Sequence, residues 1–126
     1  MNPKQIIQVA AILGALAVGI GAFGAHGLED ILAKNGRTET FETAVKYHFY
    51  HAITLLLVGI LSNSRVGYLR GMSFSAINLI IGIIIFSGSL YILSITNITW
   101  LGAITPIGGI AFILGWVGIF WTVTKR

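Results

Sequence analysis

The sequence predicts an all-α protein: a four-transmembrane-helix bundle with a short interfacial helix between helices 1 and 2. Three observations carry that expectation. Apolar residues are 56% of the 126 and charged residues only 10%, against a usual charged share of roughly 25%. Mean hydropathy is +0.88. The apolar residues gather in four runs, each long enough to cross a hydrocarbon core of roughly 30 Å at about 1.5 Å per residue. The same composition excludes disorder, because too much apolar surface would stay in water. The absence of cysteine excludes a disulfide scaffold, thiolate catalysis, zinc–thiolate sites and iron–sulfur clusters.

Residues 6–25 form the first run, with no charge and a single glutamine. Ala10, Gly14, Ala17, Gly21 and Gly24 recur at four-three-four-three spacing, so they share one side of a helix, where another backbone can approach closely. A cleaved signal peptide starting at Lys4 is the rival reading, and the run is long for that. In residues 26–40 Leu28, Ile31 and Leu32 share a helical face, Asp30 and Lys34 stand at i,i+4, and Asn35-Gly36 is a stop signal. This segment reads as a short helix lying on the membrane surface.

The second span covers 41–61, with Thr38 or Thr40 as its expected cap. Its later half is apolar and its earlier half carries Glu42, Lys46, His48 and His51. About ten apolar residues cannot span alone, so the polar half must enter the membrane or its interface. Residues 62–70 read as a turn with two arginines. The third span covers 72–95, with Ser75, Asn78, Gly82 and Ser89 as a small or polar stripe facing protein. A tight uncharged turn leads to the fourth span, 100–123. Trp100 and Trp121 stand near its opposite ends, as interfacial belts require. Pro106 falls inside this last span and cannot donate to the Gly102 carbonyl. The expectation is a kink at Gly102 and Pro106, with Thr105 or a neighbouring helix satisfying the freed carbonyl. The whole chain, 1–126, reads as a single integral membrane domain.

The net charge of +4 does not suggest nucleic acid, because the bases form no stripe with interleaved aromatics. Four spans put both termini and the 62–70 turn on one side. That side carries Lys4, Arg65, Arg70, Lys125 and Arg126 with no acid; the other carries Lys34, Arg37 and Lys46 with all four acids. The positive-inside rule therefore places both termini in the cytoplasm.

The motifs with chemical meaning are few. Residues 19–24 match the dinucleotide fingerprint by letter, but no strand precedes them. Ala44, His48, His51 and Leu55 share one helix face, and Glu42, Lys46, Phe49 and Ile53 roughly the opposite one. Three imidazoles near one depth could hold a metal, or a pair could ligate haem; the plainer reading is hydrogen-bonded histidines in a polar layer. Glu42 and Lys46 form an interfacial pair of favoured polarity. No acid or base lies in the middle of a span, which argues against a proton-coupled transport path. Serine, histidine and acid are not set out as a nucleophile, base and orienter, so no catalytic residue is assigned.

The strings GAFGAHGL at 21–28, TFETAVKYHFYHAITLLLVG at 40–59, FSGSLYIL at 86–93 and LGAITPIGGIAFILGW at 101–116 closely resemble one family. It is the set of small bacterial membrane proteins labelled domain of unknown function four-two-three, whose members include the YgdD-like and YwdK-like proteins. The resemblance covers nearly the whole chain. It implies a four-helix inner-membrane protein and no established activity. On the family pattern fall His26, Phe41, Glu42, Tyr47, Tyr50, His51, Ser87, Gly88, Ser89, Tyr91, Thr105 and Pro106. His48 departs from it, standing where the family has Gln, which counts against a three-histidine metal site.

Three functional readings follow. The first is a non-enzymatic interaction or accessory protein, as a homo-oligomer or a subunit of a larger membrane complex. The second is binding or transport of a small apolar molecule or lipid in a polar pocket near the outer end of the bundle, built from His26, His51, Tyr47, Ser89, Tyr91 and Thr105. The third is a haem or metal site at His26 and His51. No cofactor is assigned, and the expected surroundings are the lipid bilayer of the cytoplasmic membrane.

Overall fold

In the computed structural model, residues 1–63 and 72–125 are described. All regular structure among them is helical, and four helical stretches of 24, 25, 25 and 26 residues are long and apolar enough to cross a membrane. Helix α1 spans Pro3–His26. Asn2 starts it with a capping box: its Oδ1 accepts from the Gln5 N–H at 2.9 Å and its own N–H donates to Gln5 Oε1 at 3.0 Å. Pro3 stands at the first position, where a missing N–H breaks no bond. The terminal amine donates to Ser73 Oγ at 2.8 Å and ties the start of α1 to the third span.

Helix α2, Glu29–Asn35, is the expected short helix, and Gly36 closes it at φ 65, a left-handed cap that glycine adopts without strain. Of its expected apolar face only Leu32 is buried; Leu28 is half-buried and Ile31 exposed. Asn35 donates through Nδ2 to the Ser94 and Ile95 carbonyls at 3.1 and 3.0 Å. Those carbonyls end the third span and have no intrahelical donor of their own. The loop at Asn35–Arg37 thus caps a helix from another part of the chain. Arg37 adds an Nε donation to Asn97 Oδ1 at 3.0 Å.

Helix α3, Thr38–Ser62, has Arg37 at its N-cap with no side-chain cap bond. The expected cap by Thr38 or Thr40 is corrected: the helix starts earlier, and both threonines lie within its first turn. The third span is not one regular helix. It runs as α4, Met72–Gly82, a π-helical segment, Ile83–Ser87, and α5, Gly88–Thr96. Asn97, at φ 55, ends it. The fourth span opens with a 3₁₀ segment, Thr99–Ala103, and continues as α6, Thr105–Thr124. Pro106 stands in the first turn of α6, where no intrahelical bond is lost. The kink expected at Gly102 and Pro106 is therefore corrected to a change of helix type before the proline. Thr105 Oγ1 donates to the Leu101 carbonyl, at 3.3 Å, rather than to Gly102. The turn expected at 62–70, with Arg65 and Arg70, lies outside the described residues beyond Asn63, as does Arg126.

Small residues set the packing. On α1, Ala10, Ala17 and Gly24 are buried against α3. A Cβ at Gly24 would meet the Phe41 ring, one at Gly21 would stand 3.1 Å from Val45, and one at Gly59 would stand 2.7 Å from Ile7. On α6, Gly108, Ala111, Gly115 and Gly118 are buried toward the third span. Gly108 lies on the Phe86 backbone, Gly115 on Leu79 and Gly118 on Ser75, in antiparallel register. The third span packs on both α3 and α6, but α1 and α6 are not close neighbours. Two apolar clusters result, one around Leu55, Met72 and Leu79, the other around Ala44, Leu90 and Leu101.

Candidate functional site

Between the two apolar clusters lies a polar layer on α3. The expected face is observed: Ala44, His48, His51 and Leu55 are all buried, while Phe49 and Ile53 on the other side are exposed. Contacts between α1 and α3 give its depth. Gly59 lies beside Ile6 and Ile7, Gly21 beside Val45 and Gly24 beside Phe41. Interpolated along two antiparallel helices, His51 is level with the middle of the uncharged run 6–25. It stands at mid-span and not near the outer end.

His51 is held by four groups. Its Nδ1 lies 2.7 Å from the Tyr47 carbonyl, which can only accept, so Nδ1 carries the proton. Its Nε2 accepts from the Trp116 indole N–H at 3.1 Å. Its ring stacks on Phe112 at 3.6 Å between centroids and 15° between planes, and on Tyr47 at 5.9 Å and 19°. Both ring nitrogens are therefore engaged. A metal at Nε2 would have to displace the Trp116 N–H.

His48 is joined to the third span. Its Nδ1 lies 2.8 Å from the Tyr91 hydroxyl. Its Nε2 is buried and has no hydrogen-bond partner among the described residues. Ser89 and Thr105 form a third group, with hydroxyls 2.6 Å apart. Ser89 Oγ also lies 3.0 Å from the Phe86 carbonyl. That carbonyl belongs to the π-helical segment, whose other anchor is Ser87 Oγ donating to the Ala44 carbonyl at 2.8 Å.

The six residues expected in one pocket are thus divided. Tyr47 and His51 line a groove together; Tyr91 pairs with His48; Ser89 and Thr105 pair with each other. His26 is exposed at the end of α1 and, among the described residues, has no hydrogen bond or ring contact with His51. Glu42 and Lys46 line one pocket but form no ion pair with each other or with any other described residue. No group of three or more His, Asp or Glu able to hold a metal occurs among the described residues.

The groove lies between α3 and α6, has a volume of about 870 Å³ and is open to the side. Tyr47, Tyr50, His51 and Ile53 form one wall, Gly109, Ile110, Phe112, Ile113 and Trp116 the other, and Phe86 of the π-helical segment lies between them. The two helices meet here through side chains, chiefly the His51–Trp116 bond, rather than through close backbone packing. The sequence reading missed Trp116, Phe112 and Phe86. A tryptophan away from both ends of a span was the available signal, since interfacial belts do not explain it.

Comparison with known proteins gives a consistent picture. The family model described as "Protein of unknown function (DUF423)" matches residues 20–109. The UPF0382 membrane protein YwdK of Bacillus subtilis (strain 168) is 45% identical over 122 residues, covering 97% of this chain and 98% of its own. A UPF0382 membrane protein of Staphylococcus epidermidis is 46% identical, covering 90% of both chains. No solved structure gives a significant match. With this coverage, and with four apolar helices of spanning length, the chain belongs to the DUF423 family of multi-pass membrane proteins, whose function is unknown.

Proposed function

We propose that this chain is a non-enzymatic protein of the cytoplasmic membrane that holds a small, mostly apolar molecule in the α3–α6 groove, with both termini in the cytoplasm. The groove itself carries the reading. Its volume falls within the roughly 300–1,000 Å³ of small-molecule sites, and its lining is mostly rings and aliphatic chains with a few polar groups, as such sites require. Among the described residues the Tyr47 and Tyr50 hydroxyls have no hydrogen-bond partner. An unpartnered hydroxyl in hydrocarbon is unfavourable, so an occupant with one carbonyl or hydroxyl on an apolar body would complete the site. Haem or metal at His26 and His51 gains no support, because the Trp116 N–H occupies His51 Nε2. The orientation rests on charge: Lys4 and Lys125 lie at one end without acids, and the acids lie at the other.

Native mass spectrometry of gently extracted protein tests the binding reading. Gly109 lines the groove, and a Cβ there would stand 3.9 Å from Phe86, an ordinary contact, so Gly109→Leu fills the space without forcing the backbone. The expected result is a reproducible added mass on the native chain that the variant loses. An unchanged ligand content in a folded Gly109→Leu protein would overturn the reading.

An oligomer or accessory subunit is the second reading, favoured by α1, the least buried of the four spans. Crosslinking in native membranes would then trap a second copy or a partner against α1. Recovery of monomers alone would count against it.

A further inference from the structure

Along the α1–α3 seam, α1, α2 and α3 line a second pocket, of about 410 Å³. Gly21, Gly24 and Phe41 contribute to its walls, and Glu29, Glu42 and Lys46 line it. None of these three charges has an ion-pair partner among the described residues. Lys46 also lines the next depression along the α1–α3 seam, beside Val18 and Phe49. Val18 and Phe49 line a third, which continues past Gly14 to Ala10. The three form one track: a charged pocket at the α2 end, then a narrow apolar groove toward the middle of the bundle. From Gly21 to Ala10 the groove covers about 16 Å at 1.5 Å per residue, the thickness of one leaflet's hydrocarbon.

The order of chemistry along this track is apolar groove, Lys46, Glu42, then Glu29 on α2. Lys46 and Glu42 are about 6 Å apart along the helix axis. An acyl chain, a phosphate and a primary amine are linked covalently in that same order in an aminophospholipid. We propose that the track binds one aminophospholipid in the leaflet at the α2 end. Lys46 takes the phosphate, Glu42 and Glu29 take the ammonium group, and one acyl chain lies in the α1–α3 groove. A charge pair that closed on itself would leave nothing for a headgroup; here the lysine and the two carboxylates are open to an occupant of opposite order. A neutral or purely anionic lipid would satisfy only part of the site, and a quaternary ammonium cannot donate hydrogen bonds to the carboxylates.

The test uses the full chain, delipidated in detergent and reconstituted into nanodiscs of equal parts phosphatidylethanolamine, phosphatidylcholine and phosphatidylglycerol. Native mass spectrometry then reads the retained lipid. One retained phosphatidylethanolamine is expected, enriched at least tenfold over each of the other two. Lys46→Met should abolish retention and Lys46→Arg restore it. Glu29→Gln with Glu42→Gln should remove the preference for the amine, leaving phosphatidylglycerol retained as well. Gly14→Leu should block the groove, because a Cβ at Gly14 meets nothing within 4 Å and the larger side chain grows into open space. Gly19→Leu, equally unobstructed and outside the track, should change nothing and serves as the folding control. Retention of all three lipids in equal amounts, or of phosphatidylethanolamine by a folded Lys46→Met protein, would overturn the proposal. Binding of inorganic phosphate alone, with no lipid retained, would overturn it also.

Discussion

Helix α6 meets the rest of the molecule in two different ways. Toward α4 and the π-helical segment it presents Gly108, Ala111, Gly115 and Gly118, and the backbones close up in register. Toward α3 it presents Gly109, Phe112, Ile113 and Trp116, and a groove of about 870 Å³ remains. The two faces share one helix and differ in side-chain size. Between membrane helices there is no hydrophobic drive to close a gap, since lipid tails are as apolar as leucine. Close contact must therefore come from small residues, and where rings replace them the helices stay apart. The His51–Trp116 bond spans the resulting space without filling it.

Removing the small-residue contact should have the largest effect. A Cβ at Gly108 would collide with the Phe86 backbone and stand 2.7 Å from its Cα, and backbone cannot turn aside as a side chain can. Gly108→Ala should destabilise by about 3 kcal/mol or the upper end of overpacking costs, read as a shift in unfolding in mixed micelles. Gly19→Ala, with open space around it, should change stability little. Equal effects at the two positions would contradict the close approach of Gly108 to the Phe86 backbone.

The bridge across the groove should matter less. His51→Leu leaves the Trp116 N–H unpaired and loses the ring stack on Phe112. A loss of about 1–2 kcal/mol is expected, within the range for interhelical hydrogen bonds in membranes with a stacking contribution added. Trp116→Phe in the same background should couple to it; strict additivity in the double-mutant cycle would show that the two side chains do not interact.

Smaller still is the hydroxyl pair beneath the groove. Ser89→Ala and Thr105→Val should each cost about 0.6 kcal/mol. Together they should cost less than the sum, because each removes the same 2.6 Å contact. His48→Gln should be milder again, since a side-chain amide can accept from or donate to the Tyr91 hydroxyl in place of Nδ1. If it instead destabilised as much as His51→Leu, the imidazole ring itself, and not its hydrogen bond, would be what α3 needs.

The four spans, the short α2 helix and the small stripe on α1, except at Gly14, which has open space around it, were legible because length, charge placement and helical periodicity specify them locally. Gly36 was legible for the same reason. The π-helical segment was not: it depends on Ser87 reaching the Ala44 carbonyl and on Gly108 admitting the Phe86 backbone, contacts between distant parts of the chain. Pro106 misled because a proline in an apolar run looks alike inside a helix and at its start; the 3₁₀ segment before it decides between them. Both histidines on α3 were found and their shared face was correct. Their partners were not, since Tyr91 and Trp116 lie 43 and 65 residues away. The depth of the polar layer also escaped, because it follows from the α1–α3 register and not from α3 alone.

The central claim is that the α3–α6 groove is open to small apolar molecules at mid-depth. Trp116 stands on its wall, half exposed, and it can be made the only tryptophan by Trp100→Phe and Trp121→Phe. Its fluorescence should then be measured in delipidated protein reconstituted with phospholipids brominated at successive acyl positions. Strong quenching, greatest for bromines deep in the chain, is the predicted result. Emission unaffected at every depth would mean that protein covers this face, and would contradict the account.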